Sequence, residues 1–233
     1  MTAPKEKDGW SVVPLSKKQC EAFVLLKHYS HRASIFWAGL GLVIRGRVEG
    51  VCVYGQPSPP LQRHAFLGRD FKFYELTRLV VQTKETNAAS FLVGRSLRML
   101  PEPCAVVSYA DTEYGHAGIV YQATNWLYTG AVLSHDHLYL VDGKRTHPMT
   151  LRDRGITDPK RWAARSGIET VSPKEKHRYF FLLGNRRDRK RMRHLLKYEV
   201  FDSYPKLPKR MYDAGPEIEM AVGPIQLGIE GMK

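Results

Sequence analysis

The sequence FYELTRLVVQ at residues 73–82, followed by TNAASFLVGRSLRMLP at residues 86–101, decides the fold. The first stretch is rich in β-branched residues and predicts a central β-strand. In the second stretch apolar residues recur at helical spacing, Thr86 or Asn87 can cap the first amides, and Pro101 can stop the helix. A buried strand that runs directly into a helix is typical of an α/β domain.

Toward the amino terminus, the sequence FWAGLGLVIRGRVEGVCVYG contains two β-rich runs around a glycine turn. This pattern predicts antiparallel strands at about residues 36–44 and 48–54. A short strand at residues 10–14 and an amphipathic helix over residues 16–29 are predicted before this hairpin. Residues 56–70 contain three prolines and are predicted to form a loop.

Toward the carboxyl terminus, strand and helix patterns continue. We predict a buried strand, a short helix, a strand pair and a last strand, at residues 105–109, 115–126, 129–143 and 177–184. The order of elements implies an α/β fold with a mixed, mostly antiparallel central sheet flanked by helices. We expect one domain over residues 1–183, with a basic C-terminal segment and tail over residues 184–233 packed on it.

Basic residues are concentrated in one segment. The chain has a net charge of +13, and residues 144–198 hold 17 Lys/Arg against 5 Asp/Glu, whereas the rest of the chain holds 19 against 18. A concentrated basic block makes a directional field that suits a polyanion. A solvated basic surface without a partner is the alternative.

Other features of the composition exclude several classes of protein. No apolar run approaches the ~18 residues of a membrane helix, and residues 1–10 lack the apolar stretch of a signal peptide. We therefore expect a cytoplasmic protein with no membrane partner. Cys20, Cys52 and Cys104 are odd in number and far apart, which argues against a disulfide framework or a zinc ribbon and favours buried free thiols.

Several short strings between residues 28 and 180 occur in the order known from one protein family. They are HYS at 28–30, ELTRL at 75–79, SYAD at 108–111, GHAG at 115–118, YQATNW at 121–126, YTG at 128–130 and KHRY at 176–179. Through these strings the sequence resembles the bacteriophage Mom family, and the order of its elements resembles the GNAT acyltransferase fold. The resemblance makes residues 1–183 a GNAT-like catalytic domain.

The resemblance implies a transferase that acts on DNA in the cytoplasm of an infected bacterial host. Such an enzyme replaces a hydrogen on the exocyclic amine of adenine by a carbamoylmethyl group and so hides phage DNA from restriction enzymes. Because this amine is paired inside the duplex, the base must be extruded into a pocket while cations hold the backbone of the double-stranded DNA. The alternatives are a non-catalytic DNA-binding protein and an acetyltransferase of protein amines. A monomer and a homodimer are both left open.

Four residues are expected around the amine. His28 and Tyr29 end the first helix, at the mouth of the sheet in this fold, where His can act as a base or metal ligand and Tyr can stack on adenine. The alternative for His28 is a histidine stabilised by the helix dipole. Asp111 follows a buried strand and could accept the amine proton, orient His116, or only cap a helix. Tyr121 completes this set.

The predicted helix over residues 115–126 carries side chains suited to reading a base. Gln or Asn can pair with adenine, and Tyr or Trp can stack on it, although Trp126 could equally belong to an aromatic core. Phosphate contacts are expected from the basic run RRDRKRMR at residues 186–193. The expected substrate and DNA contacts are Ser108, Tyr109, His116, Gln122, Asn125, Trp126, Arg186, Arg187, Arg189, Arg191 and Arg193.

Arg78 is the candidate that holds the group donor. Strand alternation predicts Glu75 and Thr77 on one face and Leu76 and Arg78 on the other. A charged Arg in a central strand is costly unless it is paired, so Arg78 either pairs with a buried acid or reaches an anionic donor. We favour the donor, because the loop that follows this strand holds the cofactor in the GNAT fold.

That loop, QTKETNAAS, lacks the glycines of a usual GNAT cofactor loop, although Thr86, Asn87 and Ser90 could still offer amides and hydroxyls. The donor is therefore either an acyl-CoA such as acetyl-CoA or another carrier such as an aminoacyl-tRNA. An alkyl product does not follow from simple acyl transfer, so iron or another metal is a further alternative. His135 and His137 have a compatible spacing, but two exposed histidines near a turn are commoner, and no metal site is assigned.

Overall fold

The structure is a computed structural model that describes residues 9–28, 30, 32–133, 137–172, 174–206 and 220. The strands in this part of the chain are β1 Trp10–Leu15, β2 Ala38–Ile44, β3 Arg47–Gly55, β4 Lys72–Val81, β5 Cys104–Asp111, β6 Leu127–Val132, β7 Leu138–Val141, β8 Lys144–Thr146, β9 Thr170–Val171 and β10 Lys176–Leu183. The helices are α1 Lys17–Lys27, α2 Pro59–His64, α3 Ala88–Leu97, α4 Ile119–Ala123, α5 Pro148–Asp153, α6 Pro159–Arg165 and α7 Arg186–Leu195, and Thr112–Tyr114 form a 3₁₀ turn.

Within the described residues, seven strands form one sheet in the order β1-β2-β3-β4-β5-β10-β6. Neighbouring strands are antiparallel except β4 and β5, which are parallel. The predicted mixed, mostly antiparallel sheet flanked by helices is confirmed, and β4 lies at its centre as expected. The β4–β5 ladder extends only from Lys72 and Cys104 to Glu75 and Val107. Beyond that level the two strands continue without pairing to each other, which opens a gap in the sheet.

Helices cover both faces of the sheet. We call the face covered by α3 and α4 the front, where Leu92 and Trp126 are fully buried. We call the other face the back, where α1, α2 and α7 contribute the buried side chains Phe23, Leu61 and Met192. Each face has its own apolar core, so the sheet separates the two environments.

The predicted hairpin is confirmed in β2 and β3, and the first strand and helix also match. Two expectations are corrected. The loop predicted at residues 56–70 contains α2, because Pro59 and Pro60 lie in its first turn, where proline needs no amide partner. The third helix is shorter than residues 86–101, and Asn87 at its amino end has a left-handed backbone with φ of 66° and makes no side-chain capping bond.

Residues 138–171 form a small unit inserted between β6 and β10, which we call the inserted unit. It contains the sheet β8-β7-β9 together with α5 and α6, around the buried side chains of Tyr139, Leu151 and Ala163. Two strands are present at residues 129–143 as predicted, but the prediction that they pair with each other is wrong. β6 pairs with β10, whereas β7 pairs with β8 and β9.

The three cysteines are buried and free, as predicted. Burial raises the pKa of each of the thiols of Cys20, Cys52 and Cys104 to about 12. Among the described residues, no helix combines the length and apolarity needed to cross a bilayer.

Candidate active site

A cleft of about 470 Å³ opens on the front face where β4 and β5 separate. Ligand sites in proteins typically have volumes of roughly 300 to 1,000 Å³. One wall is apolar and comes from Leu76, Leu79 and Val81 of β4. The opposite wall comes from Ser108 of β5 and from residues 115–121, and the amino end of α3 closes one end. The separation of the two parallel strands beyond their ladder therefore creates a cleft lined by β4 from Leu76 to Val81.

Ser108 and Tyr121 form a polar pair at the bottom of the cleft. Ser108 Oγ lies 2.8 Å from the carbonyl oxygen of Leu76 and 2.8 Å from Tyr121 Oη. A carbonyl oxygen can only accept, so Ser108 donates to Leu76 and the Tyr121 hydroxyl donates to Ser108. Burial raises the pKa of Tyr121 to about 12, so its hydroxyl stays protonated. The lone pairs of Tyr121 are therefore left to accept a hydrogen bond from a ligand.

The α3 end of the cleft has few charged groups. Asn87 and Ser90 line it as expected for a donor site, but Thr86 does not. Ser90 Oγ donates to the carbonyl oxygen of Asn87 at 3.0 Å. Among the lining residues that the structure describes, Glu85 is the only carboxylate, and none is Lys or Arg. An anionic ligand would therefore depend on the backbone amides at the amino end of α3.

Glu75 lies on the back of the gap and is the last residue of β4 that pairs with β5. Phe73 packs in the back core, so Glu75, two residues further along the strand, faces the same side. Burial raises the pKa of Glu75 to about 7, although the positive charges of Arg78 and Lys176 act against this rise. A carboxyl group with this pKa can both take and release a proton near neutral pH.

The negative charge of Glu75 acts on two tyrosines that border the gap. Burial, followed by the negative charge of Glu75, raises the pKa of Tyr109 well above its ordinary value, and the same charge adds to the rise at Tyr121. No role for Glu75 is predicted from the sequence. The sequence nevertheless contains one signal of a functional acid, which is a carboxylate inside an apolar, β-branched strand, where an acid is costly to bury.

Arg78 occupies a different place from the predicted one. A β-bulge in the pairing of β3 with β4, between Arg78 and Leu76, adds one residue and turns Arg78 to the back, so it shares a face with Glu75. Its Nη1 donates to the carbonyl oxygen of Thr77 at 2.7 Å, and its Nε donates to that of Arg32 at 3.2 Å. Arg78 does not line the cleft. Its contacts hold the segment around residue 32 against β4.

Asp111 caps a turn, which is one of the alternatives predicted for it. Its Oδ1 accepts from the backbone N of Glu113 at 3.0 Å, which caps the 3₁₀ turn, and its Oδ2 lies 3.0 Å from Lys176 Nζ. The carbonyl oxygen of Asp111, not its carboxylate, accepts from the backbone N of His116 at 3.1 Å. His116 lines the cleft, whereas Asp111 does not.

A sequence model of the Mom protein family matches residues 9–206. The chain belongs to the Mom protein family. This Mom chain is 31% identical over 191 residues to methylcarbamoylase mom of Escherichia phage Mu, and the match covers 77% of each protein.

The Mom chain is also similar to solved acetyltransferases. An N-acetyltransferase from Staphylococcus aureus Mu50 has a TM-score of 0.44 and 10% identity, with 75% of this chain and 99% of that chain covered. An agmatine N-acetyltransferase has a TM-score of 0.44 and 14% identity, with 76% and 100% covered.

His28 ends α1 of the Mom chain and is buried. Its Nδ1 accepts from the backbone N of Ser30 at 3.1 Å, and the residue does not line the cleft. Tyr29 and His135 lie outside the described residues. Within the described part, no three His, Cys, Asp or Glu side chains group as metal ligands would.

Three residues of this Mom family member that were predicted to read the base lie outside the cleft. Trp126 is 0% exposed in the front core, so it cannot stack on a substrate. Gln122 Nε2 donates to the carbonyl oxygen of Ala117 at 2.9 Å and to Tyr179 Oη at 3.3 Å. Asn125 occupies a left-handed turn with φ of 60°, exposed and outside the cleft. Tyr109, Ser108 and His116 do line the cleft.

The basic run forms α7, which packs on the back of the Mom chain through Met192. Its predicted phosphate contacts Arg186, Arg187, Arg189, Arg191 and Arg193 are exposed, and Arg191 forms an ion pair with Asp70. The helix follows Leu183, which pairs with Cys104 at the amino end of β5. Seven residues along β10 separate this level from Lys176 beside Asp111, or ~23 Å at ~3.3 Å per residue.

Proposed function

We propose that this Mom family member modifies the exocyclic N6 amine of adenine in double-stranded DNA with a group of the carbamoylmethyl or acetamido type. The match to methylcarbamoylase mom of Escherichia phage Mu, at 31% identity over 77% of each protein, carries this proposal. The cleft beside an acid with a pKa of about 7 supports it, because group transfer to an amine needs both a donor site and a proton acceptor. Modified adenine would protect phage DNA from restriction in the cytoplasm of the infected host.

The proposed reaction uses the gap between β4 and β5 as the meeting point of donor and base. The donor lies in the cleft on the front. The extruded adenine approaches from the back, where Glu75 accepts the proton that N6 loses as its new bond to carbon forms. The bond between that carbon and its carrier breaks, and the carrier leaves with the bonding electrons. Burial raises the pKa of Glu75, and the charges of Arg78 and Lys176 limit this rise.

The proposed donor is an acyl-CoA: N6 attacks the thioester carbon, the carbon–sulfur bond breaks and CoA leaves as the thiol. This step gives an N6-acyl adenine, so a carbamoylmethyl product requires a donor that carries its leaving group on the methylene carbon. The cleft is apolar along β4, and beyond Glu75 the backbones of β4 and β5 do not pair with each other, so the acyl-carrying arm would lie between the two strands. Ser90 and the amides at the start of α3 would hold the phosphates. Tyr121, with its proton committed to Ser108, would accept a hydrogen bond from an amide of the donor or from N6.

DNA is the proposed macromolecular partner. The cations of α7 suit a phosphate backbone, and the energy they supply would help to offset the cost of unpairing the adenine. Arg178 lies nearer to the gap than the start of α7 does. Its guanidinium is 3.4 Å from the centre of the Tyr198 ring, and its Nε donates to Thr129 Oγ1 at 2.9 Å. Those contacts hold β6 and the segment after α7 together on the back of the sheet.

Restriction digestion tests the proposed function. Plasmid DNA from cells that express the protein should resist enzymes whose sites contain adenine and should be cut by enzymes whose sites contain only G and C. Plasmid from cells that express Glu75→Gln should be cut by both kinds of enzyme. Full cutting of the wild-type plasmid at adenine-containing sites, with folded protein present, would contradict the proposal.

A further inference from the structure

The inserted unit lies at the end of the sheet where the gap opens. It replaces the turn between β6 and β10, where Val132 pairs with Lys176. Lys176 also pairs with Asp111, the residue that ends β5. The unit therefore leaves and rejoins the sheet beside the carboxyl end of β5, next to the residues that line the cleft.

Among the described residues, two ion pairs join the inserted unit to segments that border the gap. Arg145 Nη1 lies 2.6 Å from Glu113 Oε2, in the 3₁₀ turn that follows β5. Arg32 Nε lies 3.2 Å from Asp153 Oδ2 in α5, and the carbonyl oxygen of Arg32 accepts from Arg78. Because the unit has its own core, these contacts place a separately packed body at the gap.

The surface of the inserted unit is basic. Residues 138–171 contain seven Lys/Arg and four Asp/Glu. Two of the four acids have local partners, since Asp153 pairs with Arg32 and Asp158 caps α6 by accepting from the backbone N of Arg161 at 3.0 Å. The exposed cations in and directly after its helices are Arg152, Arg154, Lys160, Arg161 and Arg165.

From this placement we infer that the inserted unit is a second DNA-binding surface, which holds the phosphate backbone beside the adenine that is modified. The inference rests on the proposed function and assigns a partner to a part of the chain that the reaction itself does not use. Glu75 pairs with Val107, and Val107 pairs with Phe180, which lies three residues from Leu183 before α7 and four residues from Lys176 beside the inserted unit. At ~3.3 Å per residue, the start of α7 and the inserted unit therefore flank the level of Glu75 at ~10 Å and ~13 Å along β10. A duplex bound to both surfaces would be held on either side of the base that is extruded.

The test is DNA binding by the full-length protein over a series of salt concentrations. Arg161→Gln/Arg165→Gln removes two cations that are four residues apart on one face of α6. The slope of log affinity against log salt should fall by about 1.8, from about 0.9 for each lost phosphate contact. Modification of adenine should fall with affinity at moderate salt and recover at low salt, where binding recovers.

The matched control Lys18→Gln/Arg98→Gln removes two exposed cations from α1 and from the end of α3, and it should keep the wild-type slope. Arg152→Gln/Arg154→Gln provides a second variant of the inserted unit if the first unfolds. A wild-type slope in the folded inserted-unit variants, with adenine still modified, overturns this inference alone. A wild-type protein that neither binds DNA nor modifies adenine overturns the proposed function instead.

Discussion

Replacing Glu75 with glutamine removes the proposed proton acceptor and keeps the size of the side chain. A positioned base typically contributes ~100- to 10,000-fold to a rate, so modification of adenine by Glu75→Gln should fall by that factor. Because the pKa of Glu75 is raised to about 7, half of the wild-type carboxyl is ionised at pH 7. Since only the ionised form accepts a proton, the wild-type rate should rise about tenfold between pH 6 and a plateau above pH 8.

The assay is the rate of formation of modified nucleoside by purified protein at several pH values, with donor and duplex at saturating concentration. A glutamate with its ordinary pKa of 4.5 would be fully ionised across this range and would give a flat profile. Glu75→Gln should unfold at nearly the wild-type temperature, because the amide avoids the cost of burying a charge. A folded Glu75→Gln protein with near-normal activity, or a wild-type rate independent of pH, would refute this role.

Three more substitutions test neighbouring assignments. Arg78→Gln removes a cation that lowers the pKa of Glu75, so the midpoint of the pH profile should move to higher pH; an unchanged midpoint would mean that the two charges do not interact. Asp111→Asn keeps the cap and loses only the ion pair with Lys176, so modification should stay near normal, and a loss comparable to that of Glu75→Gln would make Asp111 the base. Tyr121→Phe loses the bond to Ser108 and should lower the free energy of unfolding by about 1 kcal/mol in a denaturant titration, whereas no change would mean that this bond contributes nothing to stability.

Local patterns explain what could be predicted from the sequence. The β-branched run of β4 and the glycine turn between β2 and β3 depend on neighbours in sequence, so their strands appear where expected. The position of the gap also follows, because Ser108 and Tyr109 end a buried strand, where ligands bind in α/β sheets.

Register and packing explain what could not be predicted. One extra residue in the bulge before Arg78 reverses its face, and no local signal in the sequence marks it. Trp126 follows a helix with the composition of a base-binding surface, but its burial depends on contacts with distant strands such as β10. The inserted unit could not be predicted because its strands are only two to four residues long and pair only within the unit.

Glu75 shows the same limit within the site. Its identity and its strand could be predicted, but its pKa depends on burial at the gap and on the charges of Arg78 and Lys176, which the fold brings together. Conversely, Asp111 follows a strand and precedes a glycine, a position that suits either a base or a cap. Only the bonds to Glu113 and Lys176 favour the cap.

The mass of the nucleosides in cellular DNA tests the central proposal most directly. DNA from cells that express the wild-type protein, digested to nucleosides, should contain a derivative of deoxyadenosine in which a carbamoylmethyl-type group replaces one hydrogen on N6. DNA from cells that express Glu75→Gln should lack this derivative. Unmodified deoxyadenosine alone in the wild-type sample, with folded protein present in the cells, would contradict the proposed function.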